Sequence, residues 1–257
     1  MFYSKNPVFS EKSIVKAEVL QENVLYPMRM FEHLYADYTD GIVTGVRLQA
    51  KDTDELLLSP GIIKYQGRLY HMEESACVEF EHNNRMNYLK IRFDNGERTS
   101  DGELFHTQVL LTNEETCFPY EMELGRFFTE AGARLIDHAQ HFEDFFIEHN
   151  HIDVRYVPYS ARTEATISPE ITVAFARDML QKQEKGEADI CFCMQCLRKE
   201  PVDRGIICAY ISVKTGRPVA KMNNAQMCEA LLSILKKGRT MVAERQTFRE
   251  RRSIIVD

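Results

Sequence analysis

Three cysteines crowd one short stretch, Cys191-Phe192-Cys193-Met194-Gln195-Cys196, and Cys208 follows twelve residues later. Thiols at such spacing can hold zinc, which wants four soft ligands converging tetrahedrally, usually in pairs on Cys-x-x-Cys turns. Only Cys193 and Cys196 have that spacing. Read as a strand over 190–197, the segment turns Cys191 and Cys193 to one side and Cys196 to the other, together with Ile190, Phe192 and Met194. A metal site at Cys191, Cys193, Cys196 and Cys208 would then need a knuckle where the pattern spells a strand. The competing reading, and the one expected here, is that these thiols act as small core groups.

Four histidines form the second cluster: His138, His141, His149 and His151. His138 and His141 would share a face if Asp137 to Glu148 were helical, but Phe142, Phe145 and Phe146 fill the same stretch. An amphipathic helix with its histidines on the wet side accounts for the pattern. His149-Asn150-His151 spells a nuclease-like tripeptide with nothing around it to complete a site. Glu121 with Glu123, or Glu143 with Asp144, can be imagined as acid–base pairs, yet no pocket is specified for them. Phosphate-loop, dinucleotide-binding, nucleophile-elbow and His-Glu-x-x-His motifs do not occur. No catalytic residue and no cofactor is expected; the alternative kept open is a zinc-binding regulator or metal-dependent enzyme using the cysteine and histidine segments.

The chain is 257 residues long, enough for one large domain or two small ones, with 44% hydrophobic residues and a formal charge of -7. That charge does not match nucleic acid or anionic lipid. No apolar run approaches the ~20 residues of a membrane span. The opening residues have neither the charge-then-apolar order of a signal peptide nor a lipidation signal, so cytoplasmic synthesis without classical export is expected. Seven unevenly spaced cysteines argue for reduced thiols.

The elements that would carry these residues fall into two textures. From Asp40 the chain reads as a β-meander. Ile42, Thr44, Val46, Leu48 and Ala50 alternate with Val43, Gly45, Arg47, Gln49 and Lys51 as one strand. Leu56 to Leu58 forms a second strand. Ser59-Pro60-Gly61 breaks the chain, Ile62 to Tyr65 resumes it, and Gln66-Gly67 turns it into Arg68 to Met72. Met86 to Phe93 and Phe105 to Leu111 add strands, Asp94-Asn95-Gly96 makes a turn, and Ile152 to Val157 reads as a strand closed by Pro158. A short helix, about Pro27 to Asp37, interrupts early, and residues 1–15 read as polar and peripheral.

After Ser160 the texture changes. Ser168-Pro169-Glu170 is a helix start, with Ile171, Ala174, Phe175, Asp178 and Met179 on one stripe. Ile190 to Leu197 and Gly205 to Val213 read as a strand pair. A second helix, capped by Asn223 or Asn224, is striped by Met227, Ala230, Leu231, Ile234 and Leu235 and closes at Lys236-Lys237-Gly238. The basic run Arg245 to Arg252 reads as a solvated end or as an arm onto a neighbour. The expectation is an α+β protein: a β-rich domain, antiparallel and meander- or sandwich-like, over 1–160, and a smaller helix–hairpin–helix domain over 161–257. The boundary is expected near 158–168.

The segment Asp40 to Ser75, with its "DGIVTG" and "SPGIIKYQGRLYHMEE", resembles a pattern of tail-fibre and baseplate-periphery proteins of tailed phages. Glu121 to Ile136, EMELGRFFTEAGARLI, is similar to segments of phage-derived structural proteins. Val24 to Tyr38 is similar to the start of the type VI secretion baseplate subunit that bridges to the membrane complex. The resemblance covers about residues 15–136 and brings no catalytic residue with it. It implies a structural subunit of a phage-like baseplate or tail-fibre assembly, a homotrimer that contacts other baseplate or tail subunits, with no nucleic-acid or membrane partner. After cytoplasmic synthesis it would join a tail-like particle. Gly45, Pro60, Gly61, Gly67, Arg68 and Tyr70 are the interface residues expected on that reading.

Overall fold

The computed structural model describes residues 16–99, 102–115, 117–219 and 221–250, with the side chains of 99, 102, 103 and 238–250 left aside. The peripheral reading of residues 1–15 and the basic run Arg245–Arg252 with its apolar tail lie outside those described side chains.

Helix α1 (Ala17–Leu34) comes first. Eleven short strands follow: β1 (Gly41–Gly45), β2 (Leu48–Ala50), β3 (Glu55–Leu58), β4 (Gly61–Tyr65), β5 (Arg68–Met72), β6 (Ala76–Glu79), β7 (Met86–Phe93), β8 (Glu97–Thr99), β9 (Gly102–Leu104), β10 (Thr107–Thr112) and β11 (Glu121–Phe128). All pair antiparallel, in the orders β1-β4-β5, β2-β3-β6, β10-β7-β11 and β8-β9. A 3-10 turn (Phe142–Phe146) leads to α2 (Pro169–Leu180), α3 (Glu187–Cys196), α4 (Arg204–Thr215) and α5 (Asn224–Glu250). The protein is α+β, with an antiparallel β-rich region followed by a helical one.

The strand expected from Ile42 to Lys51 is two strands in different sheets. Gly45 at φ 68° and Val46 at φ 54° turn a sharp corner between β1 and β2. A Cβ on Gly45 would lie 2.0 Å from the Pro60 carbonyl oxygen, because β1 and β4 cross there with Gly45 opposite Gly61. Gln66 and Gly67, at φ 47° and 78°, make the tight hairpin between β4 and β5 that the sequence predicts. The strands enclose one core containing Ile42, Leu56, Leu58, Leu89, Leu124 and Phe127.

The helical half corrects the expected hairpin. Residues 190–197 lie in α3 and 205–213 in α4. In α3, Phe192, Cys193 and Cys196 turn inward at i, i+1 and i+4, while Ile190, Met194 and Leu197 face out, and these outward apolar groups imitate a two-residue period. Stop and start signals mark α4 as helical. Asp203 caps its start, accepting from the Gly205 amide at 2.8 Å, and Gly216 at φ 69° ends it. Ser168 caps α2 by accepting from the Glu170 amide, as expected. Asn223 and Gln226 cap α5 reciprocally at 2.8 and 2.9 Å. That helix runs past Gly238 to Glu250.

Helices α2, α3, α4 and α5 pack in a ring, each against the next and α5 against α2. Their core stacks aromatics. Phe142 meets Phe175 edge-on at 5.4 Å, Phe175 meets Phe192 at 5.7 Å, and Phe192 stacks flat on Tyr210 at 4.1 Å.

Candidate functional site

The chain between the two cores is a buried seam along most of its length. Ser160, Ala161, Thr166, Ile167 and Ser168 are buried, and only Arg162, Thr163 and Glu164 are exposed. The seam closes the edge of β1: the Ile42 amide donates to the Pro158 carbonyl at 2.9 Å and the Ser160 amide to the Ile42 carbonyl at 2.8 Å. On its other side Asn224 donates to the carbonyls of Val157 and Thr166 at 3.0 and 3.2 Å. The Arg204 guanidinium donates to the carbonyls of Ala165 and Met222 and to the Asn224 amide oxygen. Val154 packs on both cores.

Ile152 to Val157 is not a strand of a sheet; its backbone makes isolated bridges instead. Here charge is buried in pairs. Arg126 grips Glu123 with two bonds of 2.7 and 2.8 Å, reaches Glu115 at 2.9 Å and lies 3.5 Å over the Tyr156 ring. Burial works against its charge, and the two carboxylates outweigh that. Arg155 holds Asp153 in the same two-bonded way. Bidentate pairs of this kind fix geometry as well as charge. Glu121, the other half of one imagined acid–base pair, is bound to Arg92 at 2.7 Å.

A cleft of about 420 Å³ opens between the halves, with Arg47, Asp137, His138, His151, Glu170 and Arg177 in its lining. In that lining Arg47 pairs with Glu170 at 3.4 Å, and the His138 Nδ1 lies 3.1 Å from Asp137. His151 is buried; its Nδ1 lies 3.1 Å from the Ile152 carbonyl, and its Nε2 has no hydrogen-bond partner. The helix expected over Asp137 to Glu148 shrinks to the five-residue 3-10 turn, whose first amides, those of His141 and Phe142, are capped by Asp144 and Asp178. His141 pairs with Asp178 and His149 with Glu130, so the four histidines are dispersed among separate partners.

The cysteines part in the same way. Cys191 is exposed and Cys208 half-buried, while Cys193 and Cys196 are sealed in the helical core, where burial pushes both thiols up to about 12. Metal ligation needs thiolates, so burial works against it. Among the described residues, no three His, Cys, Asp or Glu side chains converge to hold a metal.

The six expected interface residues also separate. Gly45, Pro60 and Gly61 form the close crossing of β1 and β4. Arg68 lies 3.9 Å over the Phe105 ring and Tyr70 meets Phe93 edge-on, so both brace the sheets. Gly67 stands at an open hairpin tip, with nothing within 4 Å of where a Cβ would be.

What the sequence reading missed is apolar surface. Helix α1 begins ten residues before the expected Pro27, which sits inside it, and buries no residue. Leu20, Val24, Met28, Met30, Phe31 and Leu34 are between 49% and 65% exposed. The foot of the helix is anchored by the buried Lys64, whose ammonium donates to the carbonyls of Tyr35, Ala36 and Tyr38. On the helical half, Ile190 and Met194 of α3, Leu197 just past its end, and Ile206 and Val213 of α4 are exposed. The signal for α1 was present as apolar residues three and four apart on both sides of Pro27.

No family model matches the chain, and no curated protein matches it. Solved structures are similar to it, and two of them follow. A crystal structure of TssK has a TM-score of 0.40 and 10% identity, over 91% of this chain and 69% of that one. A cryo-electron-microscopy structure of the type VI secretion system TssK-TssF-TssG baseplate subcomplex has a TM-score of 0.43 and 8% identity, over 92% of this chain and 99% of that one. At these scores neither likeness assigns a fold or a role. No helix among the described residues is long and apolar enough to cross a membrane.

Proposed function

We propose that this chain is a structural subunit of a phage-tail-like baseplate or tail-fibre assembly, working through protein–protein contacts and joining the particle as a homo-oligomer. The observation that carries this reading is the apolar side chains exposed among the described residues on the α1 stripe and on the outer sides of α3 and α4. Exposed apolar surface gathered in this way is the kind that marks contact sites. The buried ion pairs and the seam would hold the two halves as one bracket, so that a partner on one face is set in a fixed direction from a partner on the other. The resemblance of Asp40–Ser75 and Glu121–Ile136 to phage structural proteins supplies the kind of machine. Within the expected interface set, the open tip at Gly67 is the part presented to a neighbour.

The test is incorporation. Tail-like particles are purified by sedimentation from cells carrying a tagged chain, alongside cells carrying the doubly substituted chain Met194→Glu/Val213→Glu. Both substitutions fall on exposed side chains, so the fold is expected to survive. The tagged chain should sediment with the particles and be absent from those made with the double variant. Particles that assemble normally in cells lacking the chain would sink the reading.

A further inference from the structure

Arg177 and Lys199 stand in the lining of the cleft between the halves, and among the described residues neither side chain meets a carboxylate. Both residues are exposed. The two carboxylates of the lining are already engaged. Glu170 pairs with Arg47, and Asp137 accepts from the Ala50 amide at 2.9 Å and lies against His138. The lining therefore sets three basic side chains, Arg47, Arg177 and Lys199, against two acidic ones, in a chain whose formal charge is -7. A concave site with a surplus of one sign of charge concentrates ions of the other.

His151 gives the same lining a second demand. It is 3% exposed, and its Nδ1 lies 3.1 Å from the Ile152 carbonyl oxygen. A carbonyl oxygen only accepts, so Nδ1 holds the ring proton. In that tautomer Nε2 is an acceptor, and it has no partner among the described residues. A buried polar atom left unpaired costs free energy, which a donor placed beside it recovers. Leu48 and Val173 add buried apolar wall from the two sides. At about 420 Å³ the cleft falls in the size range of small-molecule sites.

We propose that this cleft binds a small hydroxylated organic acid, its carboxylate held by Arg177 and Lys199 and one of its hydroxyls donating to His151 Nε2. A simple anion answers only the two cations, and a neutral polyol answers only the histidine. A molecule with both groups answers both, and the guanidinium fork of Arg177 matches a carboxylate in shape as well as charge. The bound acid would touch both halves of the protein, β2 through Leu48 and α2 through Val173 and Arg177. The inference goes beyond the assembly reading and stands or falls separately from it.

The experiment is titration calorimetry of the full chain with gluconate as the probe, and with sorbitol, acetate and inorganic phosphate as controls. Sorbitol keeps the hydroxyls without the charge, and acetate keeps the charge without the hydroxyls. Gluconate should bind one per chain, with sorbitol and acetate each weaker by about tenfold or more, the worth of one lost polar contact. Arg177→Gln/Lys199→Gln changes two exposed side chains, so its thermal melt should match wild type while gluconate binding is lost. Lys221→Gln, outside the cleft, should bind as wild type does. His151→Phe should weaken gluconate by about tenfold and leave acetate unchanged; should that variant fail to fold, the exposed pair alone decides. No heat from gluconate at concentrations on the order of 10 mM would overturn the proposal. So would binding that survives in Arg177→Gln/Lys199→Gln. Phosphate or acetate binding as tightly as gluconate would reduce the cleft to an adventitious anion site only, and overturn the proposal as well.

Discussion

Helix α1 carries Leu20, Val24, Phe31 and Leu34 along one side and buries none of them; α2 carries Ile171, Ala174, Phe175 and Met179 along one side and buries all four. The sequence pattern is the same in kind. The difference lies in what surrounds the stripe. Ser168 caps α2, and Phe142, Phe192 and Tyr210 close over Phe175. Lys16 makes no side-chain cap for α1, and Lys64 anchors the helix at its foot. An amphipathic stripe therefore specifies that something must cover it, and the remaining chain decides whether the cover is internal.

The largest effect that tests this contrast is a matched pair of truncations. In a Leu20→Glu/Val24→Glu background, Phe175→Ala should cost about 3–5 kcal/mol, the usual range for emptying an aromatic core site. Phe31→Ala should fall within about 0.5 kcal/mol, as for a surface side chain. Denaturant unfolding followed by circular dichroism measures both, and equal costs would erase the distinction between the helices.

A smaller effect probes how tightly the bundle seals its own helix starts. Asp189 is buried at the first turn of α3, bonded to the Gly186 amide at 2.8 Å, the Tyr210 hydroxyl at 2.7 Å and Lys214 at 2.8 Å. Burial alone would raise its pKa; the Lys214 ammonium, the Gly186 amide and the Tyr210 hydroxyl outweigh it and hold the carboxyl below its ordinary 3.8. A carboxyl depressed on folding stabilises the protein above its unfolded pKa and loses that contribution as pH falls through the folded one. Asp189→Asn should thus cost about 2 kcal/mol at neutral pH. The gap between wild type and variant should begin to narrow below about pH 4 and go on narrowing as pH falls through the lower folded pKa. A gap that is constant across that range would remove the ionised form from the account.

The smallest effect concerns the missing cap. Lys16→Asp supplies an N-cap acceptor and removes a cation from the positive end of α1, and should stabilise the helix by about 1 kcal/mol. The gain should appear as raised helical ellipticity at fixed concentration. The corresponding change at α2, Ser168→Ala, should cost a similar amount. A null result at Lys16 would mean that the start of α1 is already satisfied.

Much of the β-half was legible because turns announce themselves. Gln66-Gly67, Ser59-Pro60-Gly61 and the strand over Met86–Phe93 all stand where the residues place them. The corner at Gly45-Val46 was not legible, because a β-branched residue at positive φ is held there by contacts with Pro60 that only the fold supplies. In the helical half the capped starts of α2 and α5 were readable. The strand reading of α3 and α4 failed because both faces carry apolar residues, so short windows show no helical period. Cysteines adjacent in sequence are parted by the helix surface, and Gly45 and Gly61 stand opposite each other where β1 pairs with β4.

The seam also bears on when the parts of the chain can fold as it is made. The amide of Ile42 and the carbonyl of Thr39 find their partners at Pro158 and Ser160, more than a hundred residues downstream. Such distant pairings are slow to close, since a long loop must be ordered before any contact rewards it. A ribosome emitting this chain releases β1 long before the segment that seals its edge, and Asn224, which clamps that segment, leaves later still. Until then the strand edge and the apolar side of α1 emerge together, uncovered, on a nascent chain. The first half is therefore the part most in need of a chaperone, or of neighbouring chains on the same message, before the last helices arrive.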